Sequence, residues 1–320
     1  MGHMHGRAGE WVVSEWLHMT TEQRNERSTN LDRMSALQIV ELMNSEDERV
    51  AHAVHEVLPQ VAQAIELATA SLRSDGRIIY LGAGTSGRLG MLDAAECPPT
   101  FGVSAGRIVG LIAGGPAAML QAVEGAEDDT AQCKEDLRQI GLNPADTVIG
   151  LAASGRTPYV VHGLRFAKSL GCATVAVACT RNSAIGVEAD VAIEPITGPE
   201  VLTGSTRLKA GTAQKMILNM ISTGSMVAVG KAYQNLMVDV QPTNEKLRSR
   251  ARRIVVEATG CEEKVAERAL REAGENAKTA IVMVLLGVSR DAAERVLARV
   301  GGKVGLAIAD HRRKDEHGRR

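Results

Sequence analysis

The chain has 320 residues, 37 Lys or Arg against 38 Asp or Glu, a formal net charge of −1 and only 2% aromatic residues. Near-neutral charge without a long basic run, and two Phe, three Tyr and two Trp from which to build stacking platforms, exclude a dedicated nucleic-acid partner. No apolar stretch reaches about 18 residues without a charge or a glycine, no signal-like h-region opens the chain, and five cysteines (Cys97, Cys133, Cys172, Cys179, Cys261) lack C-x-x-C spacing. The expectation is therefore a soluble cytoplasmic protein with reduced cysteines, no membrane partner and no metal centre.

In chain order, residues 1–24, opening Met-Gly-His-Met, read as an N-terminal extension that need not be ordered. Residues 25–59 form a helical segment, and apolar positions at helical spacing continue from Ser35 to Ala70 (Leu37, Val40, Val50, Val54, Val57, Val61, Ile65). From Arg77 the period changes. Five short apolar runs, at about 78–81, 107–113, 147–152, 173–179 and 190–194, alternate with helix-compatible stretches. The first four are nearly continuous in Ile, Val, Leu, Ala and Gly, as strands covered on both faces are. This predicts an α/β three-layer sandwich with a five-stranded parallel sheet over residues 60–235. A long helix is predicted from Gly204 to about Tyr233, and residues 236–308 make a small C-terminal helical domain of three or four helices, punctuated at Gly260, Gly287 and Gly301-Gly302. Residues 309–320 form a charged, solvated tail.

Three loops rich in hydroxyl, glycine and basic residues stand out: Gly82-Ala-Gly-Thr-Ser-Gly-Arg88, Ala153-Ser-Gly-Arg-Thr157 and Leu202-Thr-Gly-Ser-Thr-Arg-Leu-Lys209. The first two join a predicted strand to a predicted helix. Backbone N–H groups at a helix start, hydroxyl donors and a cation together make a phosphate site, so a small phosphorylated substrate is expected. Gly82, Gly84 and Gly87 also satisfy G-x-G-x-x-G, yet the second strand ends in Gly114-Gly115-Pro116 with no acid to hold a ribose, which weakens a dinucleotide site. No G-K-[ST] occurs, which excludes a P-loop.

Catalytic groups are narrowed by subtraction. Between residues 20 and 310 the histidines are His52, His55 and His162, none in a hydroxyl loop, so carboxylates are the better proton carriers. Glu96, in Leu92-Asp-Ala-Ala-Glu-Cys-Pro-Pro99, closes the helix that starts at the first loop, with the Pro pair expected as its stop. There it faces the negative end of the helix dipole, a setting suited to a proton-holding group. The second candidate is the crowded acid run Val123-Glu-Gly-Ala-Glu-Asp-Asp129, with Glu124 and Glu127 both eligible.

The run Ile79-Tyr-Leu-Gly-Ala-Gly-Thr-Ser-Gly-Arg-Leu-Gly-Met-Leu-Asp-Ala-Ala-Glu-Cys-Pro-Pro-Thr100, with Ala122-Val-Glu-Gly-Ala-Glu-Asp128, Ala152-Ala-Ser-Gly-Arg-Thr-Pro-Tyr159 and the segment Gly198–Lys215, closely resembles the N-acetylmuramic acid 6-phosphate etherase family. Asn235-Leu-Met-Val-Asp239, Thr243-Asn-Glu-Lys246 and Ala258-Thr-Gly-Cys261 extend the likeness over about 25–308. The resemblance implies a sugar-isomerase (SIS) domain at 60–235, a homodimer, and cofactor-free cleavage of the D-lactyl ether of N-acetylmuramate 6-phosphate with water. It also implies Glu96 as the acid/base residue, with Glu127 rather than Glu124 as the second glutamate. The implied substrate and phosphate set is Gly84, Thr85, Ser86, Gly87, Arg88, Ser154, Gly155, Arg156, Thr157, Glu200, Thr203, Ser205, Thr206 and Lys209, with no metal.

Glu96 lies ten residues beyond Ser86, roughly 15 Å along an unbroken helix at 1.5 Å per residue. Either Gly90 breaks that helix or one site draws on both subunits, and shared sites are the expectation. The competing class is a phosphosugar sensor of the glucokinase-regulator type, which resembles the same family and binds without turnover. An aldose–ketose isomerase would need a C1/C2 proton shuttle that the sequence does not localise.

Overall fold

The five runs of Val, Ile, Leu, Ala and Gly form strands because branched and small side chains fit a pleated layer covered on both sides. A computed structural model of the chain describes residues 20–241 and 244–318, the last five as backbone only. Residues 1–19 of the expected extension, Thr243 of its motif and the last two residues of the expected tail lie outside the described residues. The strands are β1 (Ile78–Gly82), β2 (Ile108–Ile112), β3 (Thr147–Leu151), β4 (Ala173–Val177) and β5 (Val191–Ile193). They pair in parallel in the order β2-β1-β3-β4-β5.

Described helices are α1 (Ala36–His55), α2 (Leu58–Arg73), α3 (Gly84–Phe101), α4 (Gln132–Gln139), α5 (Pro158–Ser169), α6 (Ala184–Glu188) and α7 (Lys209–Ala228), followed by α8 (Glu245–Thr259), α9 (Glu263–Glu272), α10 (Ala277–Leu286), α11 (Arg290–Arg299) and α12 (Val304–Gly318). The chain divides into two compact units: residues up to Ala94 with Ile108–Ile221, and Ala95–Arg107 with residues from Ser222 onward.

Alternation along the strands of the first unit assigns its layers. Ile79, Leu81 and Val148 face a core built with Tyr159, Val160 and Leu164 of α5 and Cys133 and Leu137 of α4. Tyr80, Ile78's neighbour Thr147 and Leu151 face the other way. There Ser71 of α2 lies 2.7 Å from the Thr147 hydroxyl, and Gly90 of α3 sits where a Cβ would come within 2.8 Å of Tyr80. Helices on both faces of a parallel sheet make the α/β three-layer sandwich, with five strands as expected. At the amino ends of β1 and β3, buried Asp146 accepts from the Arg77 backbone and guanidinium at 2.6–3.1 Å and ties the two strands together.

The second unit is helical and closes on its own apolar core, drawn from Val238, Ala251, Ile254, Val255, Leu270, Ile281, Val282 and Val296 among others. Gly260 and Gly287 end α8 and α10 in the left-handed conformation that a glycine adopts without strain. From residue 244 on there are five helices among the described residues, α8 to α12, where three or four were expected. Helix α12 continues through Gly318 and takes in most of the stretch read as a tail.

Three other expectations are revised. The periodic stretch 35–70 is two helices, separated at Glu56 and Val57. The helix predicted from Gly204 starts at Lys209 and ends at Ala228. The Pro98-Pro99 pair does not stop α3, which runs on to Phe101 and closes with a Gly102 N–H to Pro98 carbonyl bond of 2.9 Å. Burial of Cys97 and Phe101 offsets the lost helix bonds, since a fully buried Phe contributes about 1.5–3 kcal/mol. Among the described residues no helix is long and apolar enough to cross a membrane, and the five cysteines are free thiols, four of them buried.

Candidate functional site

In a parallel sheet whose strand order reverses between β1 and β3, side chains beyond the carboxyl ends of those strands cannot be covered by both crossovers, and a crevice is left. The first unit has a cleft of about 490 Å3 there. Ala83 to Ser86 line one wall, directly after β1. Ala152 to Ser154 and Arg156 to Pro158 line another, directly after β3. Thr206 comes from the third hydroxyl loop, Glu127 and Asp128 from the turn Ala126–Asp128, and Glu22 from the segment preceding α1.

Helices α3 and α5 both begin in these walls, at Gly84 and Pro158, so the unpaired N–H groups and positive dipole ends of two helices belong to one cleft. Thr157 precedes α5 without using its hydroxyl as a cap, and Gly155 turns the loop at φ +72° where a Cβ would meet Ser183 at 2.4 Å. The hydroxyls of Thr85, Ser154, Thr157 and Thr206 make no hydrogen bond among the described residues. Ser86 differs: its Oγ donates to Oε1 of Gln214 at 2.8 Å, and the fully buried Gln214 keeps an Nε2 with no partner among the described residues. A half-turn of that amide would set Nε2 on Ser86 Oγ and release the hydroxyl proton to an anion.

Several expected residues stand elsewhere. Gly87 packs α3 against the sheet, since a Cβ there would lie 2.7 Å from Ile112, and Arg88 donates from Nε to the Met119 carbonyl at 3.1 Å. Thr203 lines a separate hollow with Arg24 and Leu31, and Ser205 sits in the turn closed by its N–H on the Leu202 carbonyl. Glu200 is fully buried and accepts the N–H groups of Lys209 and Ala210, both at 3.0 Å, so it caps the start of α7. Burial raises its pKa against the lowering effect of those two bonds. Lys209, 1% exposed, gives its ammonium to Glu46 of α1 at 2.5 Å. Glu46 also accepts from Asn25 at 3.0 Å and Arg27 at 2.7 Å. Burial alone would raise the Glu46 pKa, but Lys209, Arg27 and Asn25 together hold it below its ordinary value. Lys209 is thus engaged inside the first unit and does not line the cleft.

Of the candidate acids, Glu127 lines the cleft beside Asp128, while Glu124 lines a second hollow with Val123, Asp129 and Asp136. Glu96 is exposed on α3 and belongs to the second unit. It lies more than a turn inside the helix rather than at its end, because α3 passes through both prolines, and the dipole effect fades beyond the last turn. Gly90 does not break α3; its missing side chain lets the helix approach Tyr80 and Leu151. Among the described residues no group of three or more His, Cys, Asp or Glu is arranged to hold a metal ion. Sequence reasoning missed Glu22, Asp128, Gln214 and Glu46. Only Asp128 carried a signal, as the neighbour of Glu127; the others are polar residues in segments whose partners are up to 163 positions away.

Residues 60–168 match the family model described as glucokinase regulatory protein N-terminal SIS domain, and residues 130–224 match that described as SIS domain. A phosphoheptose isomerase from Neisseria gonorrhoeae is similar in structure, with 18% identity, a TM-score of 0.46, and coverage of 59% of this chain and 98% of that one. Curated proteins named N-acetylmuramic acid 6-phosphate etherase are far more similar in sequence. That of Mycolicibacterium smegmatis is 59% identical over 290 residues, 91% of this chain and 97% of its own length. That of Serratia proteamaculans is 56% identical over 91% and 98% respectively. Identity of this order across nearly the whole of both chains leaves one assignment: the chain belongs to the N-acetylmuramic acid 6-phosphate etherase family.

Proposed function

We propose that the protein is a carbon–oxygen lyase that cleaves the D-lactyl ether of N-acetylmuramic acid 6-phosphate with water, giving N-acetylglucosamine 6-phosphate and D-lactate in cell-wall amino-sugar metabolism. The observation that carries the reading is the coincidence of 59% identity to a named etherase with a cleft that joins two hydroxyl-lined helix N-termini to the carboxylate of Glu127. The first and second loops would hold the phosphate, anchoring the sugar so that binding energy orients the reacting carbons.

In the ring-opened aldehyde the C2 proton is acidic and the C3 ether lies β to the carbonyl. A carboxylate removes the C2 proton, the C3–O bond breaks, and the departing lactyl oxygen takes a proton. Water then adds at C3 while a proton returns to C2. Glu96 is proposed as the principal proton carrier and Glu127 as its assistant. With α3 unbroken at Gly90, the reading also takes the working form to be a homodimer in which Glu96 of one chain serves the loops of the other. No cofactor enters these steps.

D-lactate release from N-acetylmuramic acid 6-phosphate in chelated buffer is the test, with poor action on the unphosphorylated sugar. A strict requirement for NAD or a divalent metal would overturn the mechanism. The match of residues 60–168 to a glucokinase regulatory protein domain favours one second reading, a phosphosugar sensor. That reading expects tight sugar-phosphate binding with no lactate formed.

A further inference from the structure

Two kinds of group line the cleft. The starts of α3 and α5 with Thr85, Ser86, Ser154 and Thr157 are donors suited to an anion. The others are acids. Three carboxylates, Glu22, Glu127 and Asp128, line the cleft against the single guanidinium of Arg156, so a phosphate is stable only where these carboxylates are not.

Glu22 is held in place on both sides. The Thr20 hydroxyl donates to the Cys179 carbonyl at 3.3 Å, Thr21 is 1% exposed, and the buried Asn25 side chain bonds both Glu46 and the Pro199 carbonyl. Between those anchors the Glu22 carboxylate makes no hydrogen bond or ion pair among the described residues. It stands against the third hydroxyl loop, where a Cβ on Gly204 would lie 3.6 Å from its Oε2. An acceptor-only group fixed in a cleft and without a partner among the described residues is prepared for a donor from the ligand.

Resting on the proposed function, we infer that Glu22 is a substrate-positioning residue that accepts hydrogen bonds from neutral donors of the sugar, its hydroxyls or acetamido N–H. The first two loops then hold the phosphate, and Glu22, against the third loop, meets the sugar. A carboxylate serves this purpose well because its two oxygens reach neighbouring donors together, and because it repels a phosphate that enters the wrong way round.

The experiment measures binding by calorimetry, independent of turnover, for two probes: N-acetylglucosamine 6-phosphate and inorganic phosphate. Glu22→Ala should weaken the sugar phosphate about tenfold or more, as expected for loss of a charged hydrogen bond. Glu22→Gln, which keeps one acceptor oxygen, should fall between Ala and wild type. Inorganic phosphate should bind both variants as well as or better than wild type. Unchanged sugar-phosphate affinity in both variants would overturn the assignment. A parallel loss for inorganic phosphate would overturn it too, because Glu22 would then be supporting the cleft as a whole. If wild type binds the sugar phosphate yet forms no D-lactate, the etherase reading fails while the comparison of the two probes still decides the role of Glu22. Failure of wild type to bind the sugar phosphate would refute both.

Discussion

Replacing Lys209 by Met separates two roles that the sequence could not distinguish, phosphate ligand and internal counter-charge. In the structure both Lys209 and Glu46 are 1% exposed and meet at 2.5 Å. Removing one partner of a buried pair typically costs 3–5 kcal/mol; with Arg27 and Asn25 still on Glu46, about 2–4 kcal/mol is expected. At about 2–4 °C per kcal/mol for a unit of this size, the melting temperature should fall by roughly 4–16 °C. Urea unfolding at pH 7 should show a lower midpoint at unchanged slope.

The pH dependence has a definite sign. In wild type the folded-state pKa of Glu46 is depressed, so its contribution is present above the ordinary value of 4.5 and is lost as pH falls through the folded value. Without Lys209 the strongest lowering influence is gone, and the Glu46 pKa moves up from its wild-type value. The penalty on the variant then shrinks as Glu46 takes up a proton, and the gap to wild type should narrow as pH falls through the variant's folded value. Pairing Lys209→Met with Glu46→Leu should recover part of the loss. Wild-type stability in Lys209→Met together with weakened inorganic phosphate binding would refute this reasoning and return Lys209 to the anion site.

Ser86→Ala should weaken inorganic phosphate and N-acetylglucosamine 6-phosphate by about 0.5–1.5 kcal/mol, up to about 3 if the phosphate oxygen is left charged and desolvated; unchanged titrations would remove Ser86 from the cradle. Gln214→Leu keeps the volume but strips Ser86 of its partner, and phosphate affinity should drop by a similar amount, an effect absent if Gln214 only fills space. Glu96→Gln should leave sugar-phosphate binding intact and lower lactate release by about 10² to 10⁴. Mixing Glu96→Gln with a Ser86→Ala, Ser154→Ala chain should restore turnover only if sites are shared between subunits. Gly163→Ala sets a Cβ against Leu81 Cδ2 in a fully buried core, so Leu81 or α5 must give way, at an expected cost of about 1–3 kcal/mol in urea melts; a neutral outcome would mean that Leu81 rotates away freely.

Local pattern was enough for whatever depends on neighbours in sequence. The unbroken apolar runs at 78–81 and 147–152 predicted strands covered on both faces, and β1 and β3 lie within a residue of those bounds. The hydroxyl and glycine residues that follow them announced loops at strand ends, and Thr85, Ser86, Ser154 and Thr157 do line one cleft. The chain could not show which cations and acids were already spoken for, because that depends on partners distant in sequence. Lys209 read as a phosphate ligand until Glu46, 163 residues away, was found beside it. Glu200 read as a site residue and is the cap of α7. Glu22 read as part of an extension and lines the cleft because Thr20 and Asn25 pin its backbone to β4's end and to Pro199. Pro98-Pro99 read as a stop by local sterics, yet burial of Cys97 and Phe101 carries α3 past them. Periodicity and turn chemistry are short-range and legible in one dimension, whereas burial and charge pairing are decided only when distant segments meet and exclude water.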